Sequence, residues 1–223
     1  MQHADDSSEC TITAASPRRS RGRPACGDAS GADALLRSAR AAFARNGYEA
    51  TSVREIAKTS GVDPALVAHH FGSKEALWLA VVEQIANESE PMVAKTKALR
   101  EIPGLGSRAR VEHAVSVLID QVFVTPDVGM FFSTSATETG TRLDRLIERV
   151  VRPLHDAFVP LLIDAIDAGT IPRQDPDIMF MMLVTGINKT VGYSHALSPF
   201  SSLPRRPRAF KRAVLTTALA MLG

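Results

Sequence analysis

The sequence contains little cysteine, with only Cys10 and Cys26 among its 223 residues. Both lie in an N-terminal stretch without apolar periodicity, so they support neither a disulfide framework nor a metal cluster, and this usage fits a reducing compartment. The sequence also lacks an apolar signal-peptide core near its polar, acidic start, and any uninterrupted apolar run of about 18 residues. These absences predict a soluble, cytoplasmic protein.

The signatures of common enzymes are also missing. No His-Glu-x-x-His, Gly-x-Ser-x-Gly or P-loop motif occurs. His69 and His70 are adjacent and therefore about 100° apart around a helix, which prevents this pair from chelating a metal ion. Asp144 and Glu148 share a helix face, but paired acids on a surface helix are usually solvated. We expect no catalytic residue, no metal site and no cofactor.

No stretch shows the alternation of apolar and polar residues that is typical of a half-buried strand. Apolar residues instead recur at helical spacing, as Leu77, Val81 and Ile85 do in a long helix that Ser73 caps. With 45% hydrophobic residues, the chain can bury a sizeable core. The sequence therefore predicts an all-α fold of about nine or ten helices.

Residues 51–71 predict two short helices joined by a tight turn, which is a helix-turn-helix. Ser52 and Glu55 have the spacing of a capping box that starts the first helix, and Gly61 ends it. Asp63 followed by Pro64 is the pattern of an N-cap and first helical position, so the second helix begins within three residues. An ordinary helical hairpin would show the same pattern, so the motif alone does not prove DNA binding.

The second of these helices is expected to turn a small face outward. Val67, His70 and Phe71 are predicted to face the core. A recognition helix must enter a major groove about 12 Å wide, and bulky side chains would hold it off. The outward positions carry short or flat side chains: Pro64, Ala65, Ala68 and His69.

Positive charge is concentrated in the N-terminal third of the chain. Residues 17–74 hold ten lysines and arginines against five aspartates and glutamates, although the whole chain has a net charge of +2. This asymmetry indicates an anionic partner for that end. A disordered arm is predicted to cross phosphates or enter the minor groove, and the alternative is a solvated basic tail. Its basic residues are Arg18, Arg19, Arg21 and Arg23.

Three runs of residues resemble the N-terminal domain of the TetR family of one-component transcriptional regulators. They are residues 34–57, Gly61-Val-Asp-Pro-Ala65 and His69-His-Phe-Gly-Ser-Lys-Glu-Ala-Leu77, within about residues 33 to 85. The resemblance implies a three-helix DNA-binding head, a long fourth helix, an all-α ligand-binding body and a homodimer. One departure is that many members carry Tyr, which touches the DNA backbone, at the position of Ala68.

Together these observations divide the chain into three segments. Residues 1–30 are predicted to form the disordered basic arm, residues 31–77 the helix-turn-helix DNA-binding domain, and residues 78–223 a domain for ligand binding and dimerisation. The first helix of the head, from about residue 32 to residue 46, is expected to turn Arg37, Arg40 and Arg45 outward.

The resemblance also suggests which residues contact DNA. Arg54 matches a base-contacting position in relatives, and the start of the third helix, Pro64, Ala65 and Leu66, is expected to read bases with it. Lys74 in the first turn of the fourth helix is interpreted as a phosphate contact, because a cation at a helix N-terminus is otherwise unfavourable. The predicted phosphate contacts are Thr51, Ser52, His69, His70 and Lys74.

The body contains large, soft side chains that could line a ligand pocket, although each of them is more simply explained as core. These are Phe123, Met130, Phe131, Phe132, Phe158, Met179, Phe180 and Met182. Three polar residues on apolar helix faces could orient a ligand, although a hydrogen-bonded core residue is the commoner outcome. They are His113, His155 and Asn188.

The last two long helices carry small residues at helical spacing, which would allow close packing against symmetry mates as a four-helix bundle. The resemblance implies the same interface. The predicted dimer residues are Gly186, Thr190, Ser194, Phe210, Ala213, Val214, Thr217, Ala220 and Met221.

Two functions remain open from the sequence. The first is a ligand-responsive, DNA-binding transcriptional regulator, most simply a repressor that binds a palindromic operator as a dimer and is released by a small apolar or amphipathic effector. The second is an all-α ligand-binding or enzymatic bundle without sequence-specific DNA binding. The charge asymmetry favours the first.

Overall fold

The computed structural model describes residues 28–135 and 140–223, and all regular elements in these two ranges are helical. The structure therefore confirms the all-α fold class. The four arginines of the predicted basic arm lie outside the described residues, so the arm stays a prediction.

The head consists of α1 (Asp28–Ala50), α2 (Val53–Ser60) and α3 (Pro64–Phe71). Gly47 interrupts α1 with a positive φ of 77°, a conformation that costs glycine little. The predicted end of the first helix, near residue 46, is therefore close to this break. Leu35, Ala39 and Phe43 of α1 are buried, as their spacing predicts.

The turn between α2 and α3 follows its predicted chemistry. Gly61 adopts a left-handed conformation with φ of 69°, and the next N–H, of Val62, donates to the Ala57 carbonyl oxygen at 3.0 Å. The Asp63 carboxylate accepts from the Ala65 N–H at 2.8 Å and caps α3. The prediction of a capping box at the start of α2 is wrong, because the Ser52 hydroxyl makes no cap hydrogen bond.

A long helix, α4 (Lys74–Ala98), joins the head to the body, and the Ser73 hydroxyl caps it by accepting from the Ala76 N–H at 3.0 Å. Its 25 residues span about 37 Å at the usual rise per residue. Leu77, Val81 and Ile85 are fully buried, in agreement with their predicted repeat. The helix is therefore covalently continuous with both parts of the molecule.

The body continues with α5 (Ser107–Val124), α6 (Pro126–Ser135), α7 (Thr141–Leu146) and α8 (Arg152–Asp167). The apolar stripe of residues 141–168 predicts one long helix kinked at Pro153 and Pro160, and the structure interrupts it with a wide π-type turn, Ile147–Val151. Pro153 lies two residues after this turn and has no N–H to donate, so a change of helical pitch near this point is expected.

The chain ends with α9 (Pro176–Gly192), the single turn α10 (Ser194–Leu197) and α11 (Pro207–Ala220). The Asp175-Pro176 pair and the apolar residues that follow it predict an N-cap and one helix from residue 176 to about residue 197. Asp175 caps α9, accepting from the Ile178 N–H at 2.9 Å. The predicted end is wrong, because α9 ends at Gly192 and Tyr193 leaves the helical conformation.

Two apolar cores are visible. The body core lies between α5, α8, α9 and α11, with Phe158 and Phe180 fully buried in it. The head core joins α1, α2 and α3 to the first part of α4, as far as Ile85, and also takes in Phe131 of α6 and Leu146 of α7. The head core therefore extends past the predicted domain boundary at residue 77.

Within the described ranges, no single helix has the length and apolar composition needed to cross a membrane, and one sharply bent pair, α5 with α6, passes that test on length and composition only.

Candidate functional site

The outer face of α3 presents small side chains to solvent. Pro64, Ala65, Ala68 and His69 are exposed, whereas Val67 is buried in the head core. The inward orientation predicted for His70 is wrong, since this residue is exposed and its ring lies edge-on to that of His69 at a centroid distance of 5.7 Å. An imidazole that stays in water avoids the cost of burying an unpaired polar group.

The start of α2 carries Arg54, and Ser52 precedes this helix; both residues are exposed. Thr51 is different, because it is only 3% exposed and its hydroxyl donates to the Gly47 carbonyl oxygen at 2.6 Å. The phosphate contact predicted for the Thr51 side chain is therefore not supported. Its hydroxyl instead satisfies a carbonyl next to the break in α1.

A cluster of positive charge lies at the N-terminus of α4. The Lys74 ammonium donates to the Glu49 carbonyl oxygen at 3.1 Å and lies 4.4 Å from the centre of the Tyr48 ring. The Arg142 guanidinium, from α7, lies 3.9 Å from the same ring. The ring and the carbonyl offset the unfavourable placement of a cation at a helix N-terminus. Two cations from distant parts of the chain therefore meet beside the helix-turn-helix.

Arg40 of α1 is buried, with 4% of its surface exposed, and the prediction that it faces outward is wrong. Its Nη1 donates to Glu88 of α4 at 2.5 Å and its Nε to Asp127 of α6 at 2.6 Å. Burial alone would lower the pKa of Arg40, but the hydrogen bonds and charges of Glu88 and Asp127 raise it, so the guanidinium stays protonated. Three helices are thereby joined by one side chain.

The body contains a largely apolar cavity of about 70 Å³ between α4, α5, α6, α8 and α9. The cavity is lined by Ser89, Met92, Leu118, Gln121, Val122, Thr125, Val128, Gly129, Phe132, Val150, Val151, Leu154, Phe180, Met181, Val184 and Asn188. None of these side chains is charged. The cavity is small compared with the roughly 300–1,000 Å³ of typical ligand sites.

The structure brings three of the predicted lining residues to this cavity, namely Phe132, Phe180 and Asn188. The sequence reasoning missed the polar members Ser89, Gln121 and Thr125. Gln121 and Thr125, which are four residues apart and hydrogen-bonded to each other at 3.3 Å, are polar residues at helical spacing, so their pattern was visible in the sequence.

The other predicted lining residues lie elsewhere. Phe131 lies in the head core, and Met130 packs against it. Phe158 and Met179 lie in the body core. The remaining residues are at or near the surface. Phe123 packs against Phe210, Met182 is 56% exposed, and His113 bonds to the Ala109 carbonyl oxygen at 2.7 Å.

His155 also lies outside the cavity, half-buried at the junction of α8 and α9. Its two ring nitrogens contact Asp156 at 3.0 Å and Asp177 at 2.7 Å, and its ring packs edge-on against Phe180 at a centroid distance of 5.2 Å. The hydrogen bond to Asp156 raises the pKa of His155, partial burial opposes this, and Asp177 raises it further. This residue is better explained as a link between two helices than as a ligand contact.

Most of the predicted dimer residues surround a groove of about 210 Å³ between α9 and α11. They are Gly186, Thr190, Phe210, Ala213, Val214, Thr217 and Met221, while Ser194 and Ala220 lie outside its lining. The adjoining surface of α9 exposes Ile178 and Met182. The described residues contain no group of three or more histidine, cysteine, aspartate or glutamate side chains that could hold a metal ion.

The described residues form an all-helical fold with an exposed helix-turn-helix, an arrangement that is typical of one class of helical DNA-binding proteins. Residues 35–81 match the model of the bacterial regulatory proteins of the tetR family. A curated relative, the HTH-type transcriptional repressor AcnR of Corynebacterium glutamicum, is 32% identical over 71 residues, which is 32% of this chain and 38% of that protein. The chain thus aligns with well under half the length of that relative. Over residues 35–81 the chain is therefore similar to the DNA-binding domain of tetR family regulators.

Solved structures extend the likeness of fold to the body. A tetR family regulatory protein from Rhodococcus RHA1 superimposes with a TM-score of 0.68 at 19% identity, over 88% of this chain and 98% of the other. The transcriptional regulator FadR from Bacillus subtilis, solved in complex with stearoyl-CoA, superimposes with a TM-score of 0.59 at 16% identity, over 86% and 99% of the two chains. At these identities the similarity concerns the fold.

Proposed function

We propose that this protein is a ligand-responsive, DNA-binding transcriptional regulator of the cytoplasm. It binds a palindromic operator as a homodimer, most simply as a repressor, and a small apolar or amphipathic effector releases it. Repression is the named activity of the relative AcnR, which is 32% identical to this chain over 71 residues.

The observation that carries this proposal is the outer surface of the helix-turn-helix. Small, exposed side chains cover α3, Arg54 is exposed at the start of α2, and Lys74 lies at the N-terminus of α4. A small-sided helix can enter the major groove, an exposed arginine can bond to a guanine edge, and a helix N-terminus with a lysine attracts a phosphate. Base reading is assigned to Arg54, Pro64, Ala65 and Leu66, and phosphate binding to Ser52, His69, His70 and Lys74.

The first experiment is to select duplexes from a random DNA library with the full chain and to measure their binding against unselected duplex as a function of salt. A regulator gives an enriched palindromic sequence and an affinity that falls steeply with salt concentration. An all-α ligand-binding or enzymatic bundle, the alternative reading, gives neither enrichment nor steep salt dependence.

The groove between α9 and α11 supports a homodimer. Its lining includes small residues such as Gly186 and Thr190 together with Met182 and Met221, which are exposed. An exposed apolar helix pair of this kind is the type of surface that a second copy covers in a four-helix bundle. Such a dimer spaces two heads about 34–36 Å apart, the distance between half-sites one helical turn apart.

The cavity in the body favours an effector whose buried part carries no charge. Its lining is mostly aliphatic and aromatic, with Gln121, Thr125 and Asn188 as hydrogen-bonding groups. Its volume of about 70 Å³ is too small for most effectors, so binding has to widen it. The FadR structure with stearoyl-CoA is one case of this fold holding an amphipathic molecule.

Helix α4 links the proposed DNA-binding surface to the cavity. Ser73 and Lys74 lie at its head end, and Ser89 and Met92 line the cavity. An effector that tilts α4 changes the spacing of the two heads, with a coupling of about 1–3 kcal/mol or a roughly 5- to 150-fold loss of operator affinity. The test is reciprocity: a compound that binds the body must bind more weakly when selected operator DNA is saturating. Tighter binding would identify an activator, and unchanged binding would refute the coupling.

A further inference from the structure

Arg40 occupies an unusual position for a residue of the DNA-binding head. It belongs to α1, but both of its acidic partners lie on helices that line the cavity of the body. Glu88 directly precedes Ser89, and Asp127 directly precedes Val128 and Gly129; Ser89, Val128 and Gly129 are all lining residues. The two carboxylates thus mark the cavity walls formed by α4 and α6, and Arg40 holds both.

We propose that Arg40 is the positioning residue through which a change in the cavity reaches the DNA-binding head. The proposal rests on the proposed function and concerns how the effector site is coupled to the operator site. When an occupant separates α6 from α4, Glu88 and Asp127 move apart and Arg40 cannot keep both contacts. Because Arg40 is buried in α1, the loss of either contact shifts α1 and the helix-turn-helix that packs on it.

The burial of Arg40 makes this connection stiff. A guanidinium that is removed from water needs its two carboxylates, because a buried charge without a partner is strongly destabilising. Arginine offers its donors in a rigid, planar fork, so its two partners must stay at a fixed separation. Arg40 therefore either keeps both ion pairs or loses one of them, with few arrangements in between.

The chain supplies a way to move α6 without an effector. A Cβ added at Gly129 would lie 2.7 Å from the Asn188 Cβ, 2.8 Å from its Cγ and closer still to its Oδ1, so Gly129→Ala displaces α6, which carries Asp127, relative to α9. Ala94→Ser on α4 is the control, because it also adds one heavy atom to a helical residue, but at an exposed position outside the cavity lining and outside the groove between α9 and α11.

The experiment is a double-mutant cycle between Gly129→Ala and Arg40→Met, read by affinity for a duplex that the wild type selects from a random library. With Arg40 present, Gly129→Ala is expected to weaken binding at least 5-fold, whereas Ala94→Ser changes it less than 2-fold. In the Arg40→Met background, Gly129→Ala is expected to weaken binding less than 2-fold further. Equal losses in both backgrounds would overturn the proposal.

Three further variants guard against misfolding and test the geometry. If Arg40→Met does not fold by circular dichroism, Glu88→Gln and Asp127→Asn each remove one charged partner from a partly exposed position and replace it in the cycle. Arg40→Lys, which keeps the charge but not the fork, is expected to retain part of the coupling. A Lys variant with the coupling of the wild type would contradict the role of the two fixed contacts.

A readout without DNA separates failure of this proposal from failure of the proposed function. Gly129→Ala is expected to raise backbone hydrogen exchange in α1 when Arg40 is present and to leave it unchanged in the Arg40→Met background. Exchange that rises equally in both backgrounds, or in neither, overturns the role of Arg40 whether or not the chain binds DNA. A wild type that selects no duplex refutes the proposed function, while the exchange result still decides the coupling.

Discussion

Trp78 of α4 stacks on Phe131 of α6, with ring centroids 5.6 Å apart and planes 30° from parallel. Both rings are fully buried, so a helix of the body completes the core of the head. Trp78 is also the single tryptophan of the chain, which makes its fluorescence a specific probe of this contact.

We expect Phe131→Ala to destabilise the protein by about 3–5 kcal/mol, because it leaves a cavity in a closely packed core. The Trp78 emission should shift to the red as water reaches its ring. Chemical denaturation followed by fluorescence measures both effects. Phe200→Ala is the control, since Phe200 is 88% exposed and its removal should change stability by less than about 0.5 kcal/mol. Similar losses for the two variants would show that the stacking is not formed.

Arg54→Ala should cost about 1–3 kcal/mol of operator affinity, mainly through one base pair, because a base contact carries sequence information. Lys74→Ala should weaken binding to all sequences and reduce the slope of log affinity against log salt by about one, because a phosphate contact releases a counterion. Titrations of selected and random duplexes at several salt concentrations distinguish the two. Equal losses on both duplexes for Arg54→Ala would refute its assignment as a base contact.

Gly186→Trp should prevent dimerisation, because an indole at this exposed position of α9 would block close approach across the groove. Sedimentation at micromolar concentration should show a dimer for the wild type and a monomer for the variant, with the same helical content and without operator binding. Ala94→Trp, at an exposed position of α4 outside the groove, should stay dimeric. A monomeric wild type would contradict this interface.

The contacts of His155 predict a stability that depends on pH. Its pKa is raised in the folded protein, so protonation favours folding. The contribution is complete below the unfolded pKa of about 6.5 and is lost as the pH rises through the higher folded pKa. The difference in Tm between wild type and His155→Gln should therefore shrink from pH 6 to pH 8, and it should be modest, because the contacts are partly exposed to solvent.

Nuclear magnetic resonance of the His155 ring checks the cause of this effect. Asp156→Asn and Asp177→Asn should each lower the pKa of His155, whereas Asp167→Asn, at an exposed acid near the end of the same helix, should not. A Tm difference that grows with pH would mean that the neutral imidazole is the form favoured by folding.

The sequence predicted best those features that depend on neighbours along the chain. The left-handed Gly61, the Asp63 and Asp175 caps, and Ser73 at the start of α4 are each determined within about four residues, so local chemistry suffices to find them. The helical spacing of Leu77 and Val81 predicted their burial for the same reason.

The errors concern residues whose partners are distant. Arg40 was expected in solvent because a charged side chain is rarely buried alone, and its partners lie 48 and 87 residues away in the sequence. Thr51 was assigned to DNA by position in the motif, but its hydroxyl is used by the break at Gly47. No sequence pattern around Gly129 indicates its importance, since this comes from the close approach of Asn188 on another helix.

The continuity of the head core through Phe131 and Leu146 limits how the protein can be divided. A fragment that stops at residue 77 would expose the inner face of α1, because it loses most of α4 as well as Phe131 and Leu146. Exchange of this head with that of another regulator would leave α6 and α7 facing a surface with a different shape. The helix-turn-helix of this chain is therefore not an independent module, and its replacement requires the matching segments of α6 and α7 to be exchanged with it.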